Sequence, residues 1–209
     1  MLQKNTVETS ALELLIKLQA DKTLNAFHLA GGTSLALQIG HRKSVDLELF
    51  SQTDFNTNFL LEYLEQNFKF KADYTAQNTL KGSINNIKLD LISHKYTLVK
   101  PIINTENIRL YSIEDIAAMK LNAIAGNGTR SKDFIDIYFI LKKYTLEDVL
   151  SFYKTKCKDR NLLHIVKSLN YFDDINIQDR PEMISEQNLS LQTVKEHLKK
   201  QVFDFSENL

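Results

Sequence analysis

Residues 30–50 read Ala-Gly-Gly-Thr-Ser-Leu-Ala-Leu-Gln-Ile-Gly-His-Arg-Lys-Ser-Val-Asp-Leu-Glu-Leu-Phe, and the two halves of this stretch suit opposite charges. The first half suits an anion. Gly31 and Gly32 permit backbone angles and a close approach that a Cβ forbids. A helix opening at Thr33, with Ser34 beside it, directs its unsatisfied N–H groups and positive dipole end at whatever rests on the glycines. Gly40 is a natural stop for that helix. The second half suits a cation. From Ser44 to Phe50 the residues alternate with the two-residue period of a strand, so Asp46 and Glu48 share one face while Leu47 and Leu49 turn to a core. Two adjacent carboxylates repel unless a cation lies between them, and hard oxygen ligands suit Mg²⁺. An anion site beside a cation site points to a metal-bound nucleoside triphosphate. The competing reading makes the two acids the solvated face of an edge strand, which leaves unexplained an Asp where strands disfavour it.

A third acid lies further on. Thr79–Ile84 and Ile87–Ser93 flank Asn85-Asn86, a pair that tolerates the positive φ angles of a two-residue hairpin. In the second arm Ile87, Leu89 and Leu91 share one face and Lys88, Asp90 and Ile92 the other. Asp90 is then a carboxylate among strong β-formers, costly there without a partner. It would complete a two-metal site with Asp46 and Glu48; the alternative is an exposed strand acid.

The elements that must position these residues follow from periodicity. Ser10 and Glu13 suggest a capping box before Leu14, Leu15 and Leu18. Residues 25–30 read as a short strand leading into the glycines. Phe59, Leu60, Tyr63, Leu64 and Phe68 have helical spacing, and residues 69–78 are extended in character. From Ser112 the pattern turns helical: a start at Ser112 and Asp115, a break at Gly126-Asn127-Gly128, a helix over Lys132–Leu141, and a third capped by Thr145 and Asp148. Residues 160–170 and a final helix after Ser190 follow. The expected class is α+β, a mixed sheet with flanking helices over residues 1–111 and a helical C-terminal region over 112–209, with the change of character around Pro101.

Composition narrows the class. The chain has 209 residues, 43% of them apolar, enough for a real core. Its 26 basic and 26 acidic residues cancel, so no global field announces nucleic acid or membrane. The single Cys157 rules out an internal disulfide framework and reads as inert. Glu8 and Glu13 interrupt the first apolar residues, which argues against a signal peptide, and no apolar run is long enough to cross a bilayer. The expectation is a soluble, cytoplasmic protein. His28, His41, His94, His164 and His197 have no ligand spacing, so no zinc site is expected.

Strand, Gly-Gly-Thr-Ser helix, Asp-Leu-Glu strand and later Asp strand together resemble the minimal nucleotidyltransferase fold of the polymerase-beta superfamily. A narrower resemblance is to the AbiEii/AbiGii abortive-infection toxin family. It is carried by Leu29–Leu37, by Gly40-His41-Arg42 with Ser44 ahead of Asp46, by Glu114–Leu121, by Lys132-Asp133-Phe134-Ile135-Asp136, by Tyr171–Asp174 and by Pro181-Glu182-Met183. The resemblance implies an Mg²⁺-dependent enzyme using a nucleoside triphosphate. Gly31, Gly32, Thr33 and Ser34 would meet the triphosphate, and Asp46, Glu48 and Asp90 the metal. Lys120 would bind phosphate, and Asp133 would orient the nucleotide or that lysine. Family members more often carry aspartate where this chain has Glu48. Arg42 and Lys120 would offset charge shifting to the leaving group. Without the resemblance, Lys120 reads as a solvated helix residue, Asp133 as a complement to a helix dipole, and Asp136 and Arg130 as structural.

The resemblance also implies a toxin with a cognate antitoxin, and an RNA acceptor such as transfer RNA. Contact with RNA needs local positive charge. Residues 142–167 carry a net +4, with Tyr144, Phe152 and Tyr153 interleaved, although a solvated helical face accounts for this equally. Two other readings stay open: a nucleotidyltransferase acting on a small molecule such as an aminoglycoside or on a protein, and a catalytically silent binding module of the same fold.

Overall fold

Apolar residues at alternate positions bury one face of a seven-stranded sheet. A computed structural model describes residues 1–158 and 161–207, in which the chain divides into two units. The first holds Met1–Tyr96 and Ile102–Tyr111; the second holds Thr97–Pro101 and the chain from Ser112 onward.

The first unit runs α1 (Thr9–Ala20), β1 (Phe27–Leu29), α2 (Gly31–Ile39), β2 (Leu47–Ser51), α3 (Thr57–Phe68), β3 (Lys71–Ala76), β4 (Thr79–Ile84), β5 (Ile87–Ser93), β6 (Ile103–Thr105) and β7 (Ile108–Leu110). The strand order is β3-β4-β5-β2-β1-β7-β6. The β2–β5 and β1–β7 pairs are parallel and the others antiparallel, so the sheet is mixed. Leu29, Leu47, Leu49, Leu89, Leu91 and Leu110 are wholly buried in one core with Leu15 and Leu18 of α1 and Leu64 of α3. Each such side chain is worth roughly 1.5–3 kcal/mol of burial. That leaves Glu48 and Asp90 on the opposite face.

The β4–β5 hairpin turns on Asn85 and Asn86 at φ 51° and 65°, the positive angles a two-residue loop of this kind demands. Gly40 ends α2 in the left-handed region at φ 74°. Three details differ from the sequence reading. α2 opens at Gly31 rather than Thr33, which puts both glycines in its first turn. β2 opens at Leu47, so Asp46 precedes the strand and Val45 is 52% exposed. α1 opens at Thr9 with Glu8 as its cap, leaving Ser10 inside the first turn where no capping box forms.

The second unit contains α4 (Ile113–Gly126), α5 (Ser131–Ile140), α6 (Leu146–Lys156), α7 (Leu162–Ser168) and α8 (Leu191–Glu207). α4 packs on α5, α6 and α7, while α8 packs on α5 and α6. Ser112 accepts the Asp115 N–H to cap α4, and Thr145 and Asp148 form the reciprocal capping box of α6. Asp115 explains why Thr97–Pro101 belongs here. Its buried carboxylate accepts the N–H groups of Val99 (3.0 Å) and Lys100 (3.1 Å) and the Ser112 hydroxyl (2.8 Å), and lies 2.7 Å from Lys156 Nζ. Among the described residues no helix is long and apolar enough to cross a membrane.

Candidate active site

Parallel pairing of β2 and β5 sets Glu48 directly opposite Asp90, one strand spacing of about 4.8 Å away. On its other side Asp90 faces Lys81 of β4, whose Nζ lies 3.5 Å from Asp90 Oδ2. The second oxygen, Asp90 Oδ1, is buried and has no hydrogen-bond partner. A desolvated carboxylate oxygen without a donor is costly, and a cation at Oδ1 would relieve that cost where Lys81 meets only Oδ2. Hard oxygens in that arrangement suit Mg²⁺. Asp46, just ahead of the strand, lines an open cavity of about 480 Å³ with Ser83 and Lys88. The three acids are not drawn together, and among the described residues no three His, Cys, Asp or Glu side chains converge as a metal-ligating group.

The glycine turn shows where the Glu48 carboxylate has gone. Gly31 adopts φ +63°, and a Cβ there would coincide with a Glu48 carboxylate oxygen. A Cβ on Gly32 would run into the Arg42 guanidinium. Arg42 is 3% exposed and donates from Nη1 to the Lys43 carbonyl at 2.9 Å. The N-cap of α2, Ala30, has no side chain able to satisfy the first N–H groups. The end of α2 thus holds a cation on Gly32 and an anion on Gly31, the latter being the chain's own carboxylate.

Thr33 and Ser34 spend their hydroxyls on the fold. The Thr33 hydroxyl donates to the Asp46 carbonyl and lies 2.8 Å from Ser44 Oγ, so it fixes the approach of Asp46 to β2. Ser34 is fully buried and donates to the Tyr111 carbonyl at 3.3 Å, where Gln38 Nε2 also donates at 3.0 Å. Both hydroxyls therefore act as internal ties in this structure.

Lys120 and Asp133 lie in the helical unit and meet there. Lys120 Nζ is 2.6 Å from Asp133 Oδ1 and 2.7 Å from Asp136 Oδ2, with all three side chains buried. Arg130 closes on the far oxygen of Asp133 through Nε (2.9 Å) and Nη2 (2.8 Å). Asp136 and Arg130, set aside as structural, are members of this network. Their spacing carried the signal, since residues three apart share a helix face. The basic stretch is less free than its composition suggests. Lys156 pairs with Asp115 inside the unit, Tyr153 is fully buried, and Lys142 pairs with Glu186 while lying 4.5 Å over the Tyr138 ring. Lys143, Lys154, Lys158 and Lys167 are exposed; Asp159 and Arg160 lie outside the described residues.

The family described as "Nucleotidyl transferase AbiEii toxin, Type IV TA system" matches residues 13–207. The chain belongs to the AbiEii family. As an AbiEii protein it is a nucleotidyltransferase, with the mixed sheet and C-terminal helices of that fold. An uncharacterized protein of Aquifex aeolicus is 30% identical to it over 207 residues, covering 96% of this chain and 97% of the relative. The crystal structure of JHP933 from Helicobacter pylori is similar at TM-score 0.57 and 18% identity, covering 97% of this chain and 94% of that one. A second Helicobacter pylori structure, described as a proposed nucleotidyltransferase, matches at TM-score 0.55 and 20% identity, covering 97% of each chain. At such identities the structural likeness speaks for the fold.

Proposed function

We propose that this AbiEii protein transfers a nucleoside monophosphate from an Mg²⁺-bound nucleoside triphosphate to an RNA hydroxyl, transfer RNA foremost, as the cytoplasmic toxin of a toxin–antitoxin pair. The observation that carries the reading is Glu48 facing Asp90, with its orphaned Oδ1, on the sheet face next to the Gly31–Gly32 turn. Asp46, Glu48 and Asp90 would hold two Mg²⁺ ions. Bound metal would lower the pKa of the attacking hydroxyl and stabilise the pyrophosphate that leaves.

The chain's own residues do the rest. Gly31 and Gly32 offer backbone N–H groups at the α2 N-terminus, with Arg42 beside them to balance phosphate charge. Glu48 leaves Gly31 to join Asp90, since its carboxylate and a triphosphate claim the same ground. Thr33 keeps Asp46 at the head of β2. Lys120 would bind phosphate with Asp133 orienting it, a reading that the buried 2.6 Å Lys120–Asp133 contact supports. The test incubates the protein with Mg²⁺, each labelled nucleoside triphosphate and total transfer RNA. Labelled RNA from the native chain and none from Asp46→Asn, at an unchanged melting temperature, is the expected result. Label on no RNA, or only on a small hydroxylated acceptor or a protein, overturns the RNA assignment. Undiminished transfer by Asp46→Asn overturns the metal assignment.

A further inference from the structure

The sheet face that carries Glu48 and Asp90 continues to a second pair of polar residues, His28 on β1 and Arg109 on β7. Phe50 pairs with His28 and Leu29 with Leu110, so His28 and Arg109 are neighbours on the same face as Glu48. Two residues along and one strand across places His28 on the order of 8 Å from Glu48.

Arg109 is held in place. Its Nη1 donates to the Gln19 carbonyl at 2.9 Å, and the Gln19 amide brackets its backbone, accepting from the N–H at 2.6 Å and donating to the carbonyl at 2.8 Å. Those bonds tie it to the last turn of α1 and use one guanidinium nitrogen. The other two, Nε and Nη2, are buried without a hydrogen-bond partner, and so is His28 Nδ1. Nε and Nη2 form one edge of the guanidinium, the edge whose parallel N–H groups match two oxygens of one anion. Among the described residues no carboxylate pairs with Arg109: burial alone lowers its affinity for a proton, and burial with the Arg109 charge lowers that of His28. A desolvated cation with no counter-ion and a donor edge to spare is a site waiting for an anion.

We propose that Arg109 and His28 bind a backbone phosphate of the nucleic-acid acceptor, Nε and Nη2 donating to its two non-bridging oxygens and His28 Nδ1–H sharing one of them. This rests on the RNA reading above and adds the acceptor contact. The triphosphate is assigned to the glycine turn, and the Arg109 pair lies on the same face beyond Glu48, where the strand that brings the attacking hydroxyl must run.

The experiment is fluorescence anisotropy of an end-labelled single-stranded oligoribonucleotide with the full chain. It compares native protein with Arg109→Gln, Arg109→Lys and His28→Asn, with Mg²⁺·ATP binding measured alongside. Arg109→Gln is expected to weaken oligonucleotide binding about tenfold and to lower the salt slope by about one. Arg109→Lys keeps the charge but not the fork and should fall between. His28→Asn leaves Arg109 and its tie to Gln19 untouched, so its loss of a few-fold cannot come from a loosened α1. Mg²⁺·ATP affinity and the melting temperature of His28→Asn stay at the native values. Unchanged oligonucleotide affinity in all three variants, or an equal loss of Mg²⁺·ATP binding, overturns the proposal. Oligonucleotide binding that depends on Arg109 in a protein that labels no RNA keeps the site and removes the transfer reading. RNA labelling with affinities indifferent to Arg109 does the reverse.

Discussion

Lys156→Met removes the ammonium from a closed knot inside the helical unit. The Lys156 side chain is 1% exposed and that of Asp115 0%, with 2.7 Å between them. Methionine keeps most of the stem volume, so the change is chiefly electrostatic. Asp115 retains the N–H groups of Val99 and Lys100 and the Ser112 hydroxyl. The charge therefore stays buried without its counter-ion, a situation that costs about 3–5 kcal/mol. The surviving hydrogen bonds argue for the lower end, about 3 kcal/mol, against a total stability of roughly 5–15 kcal/mol. For a chain of this size that amounts to a melting temperature about 6–12 °C lower. Far-UV circular dichroism melts and urea titrations of native and variant protein measure it. If the two units unfold in separate transitions, the helical one is the one that moves. Asp115→Asn combined with Lys156→Met should cost at least about 1 kcal/mol less than the sum of the single changes, because neither charge is then left alone. A Lys156→Met protein melting within about 2 °C of native, with an additive double variant, would show that the pair is not what holds Thr97–Pro101 to the helices.

Other outcomes follow from the same structure. Gly31→Ala forces a Cβ into the left-handed region and against Glu48; the strain of about 1–2 kcal/mol is partly offset by a stiffer unfolded chain. Its melting temperature should drop only a few degrees while nucleotide transfer falls at least about tenfold, and a fully active variant would remove the glycine turn from the site. Lys120→Met removes the buried ammonium that Asp133 and Asp136 share and should cost about 3 kcal/mol. Its inactivity alone would therefore say nothing about phosphate binding, whereas urea unfolding at native stability would break the proposed network. His28 titrates below its ordinary value of 6.5 in the folded chain because of burial and Arg109. The unfolded chain thus takes up the extra proton first, and stability falls as pH drops below about 6.5. Urea midpoints between pH 7.5 and 5.5 should show that loss, and His28→Asn should shrink it; since His197 is lowered in the same sense, part of the slope remains.

The alternation around Leu47, Leu49, Leu89 and Leu91 announced two strands with acids on the outer face, because a period of two and a buried face fix side-chain direction without further information. It did not announce that these strands lie side by side and parallel. Pairing between residues 42 positions apart is set by the whole sheet, and only the register of β2 on β5 put Glu48 opposite Asp90. Caps at Ser112 and Thr145 were legible because one side chain and one N–H decide them. The β6–β7 turn at Glu106 and Asn107 was not, since Glu rarely takes the φ of 53° that it adopts there. Apart from the family resemblance, Lys120 reads as a solvated residue and Lys156 as part of a basic face; both lie in the interior because acids elsewhere in the chain meet them. Arg109 gave no signal at all, as its importance comes from what it lacks.

The Asp115 knot also sets an order of events during synthesis. Asp115 and Lys156 are 41 residues apart, which a ribosome adding about 5–20 residues per second covers in roughly 2–8 s. Through that interval the sheet unit is already complete in sequence, while the carboxylate that binds Val99 and Lys100 has no lysine yet made to neutralise it. A chain truncated between Ser112 and Lys156 keeps its full complement of strands and loses the lysine that pairs with the Asp115 carboxylate.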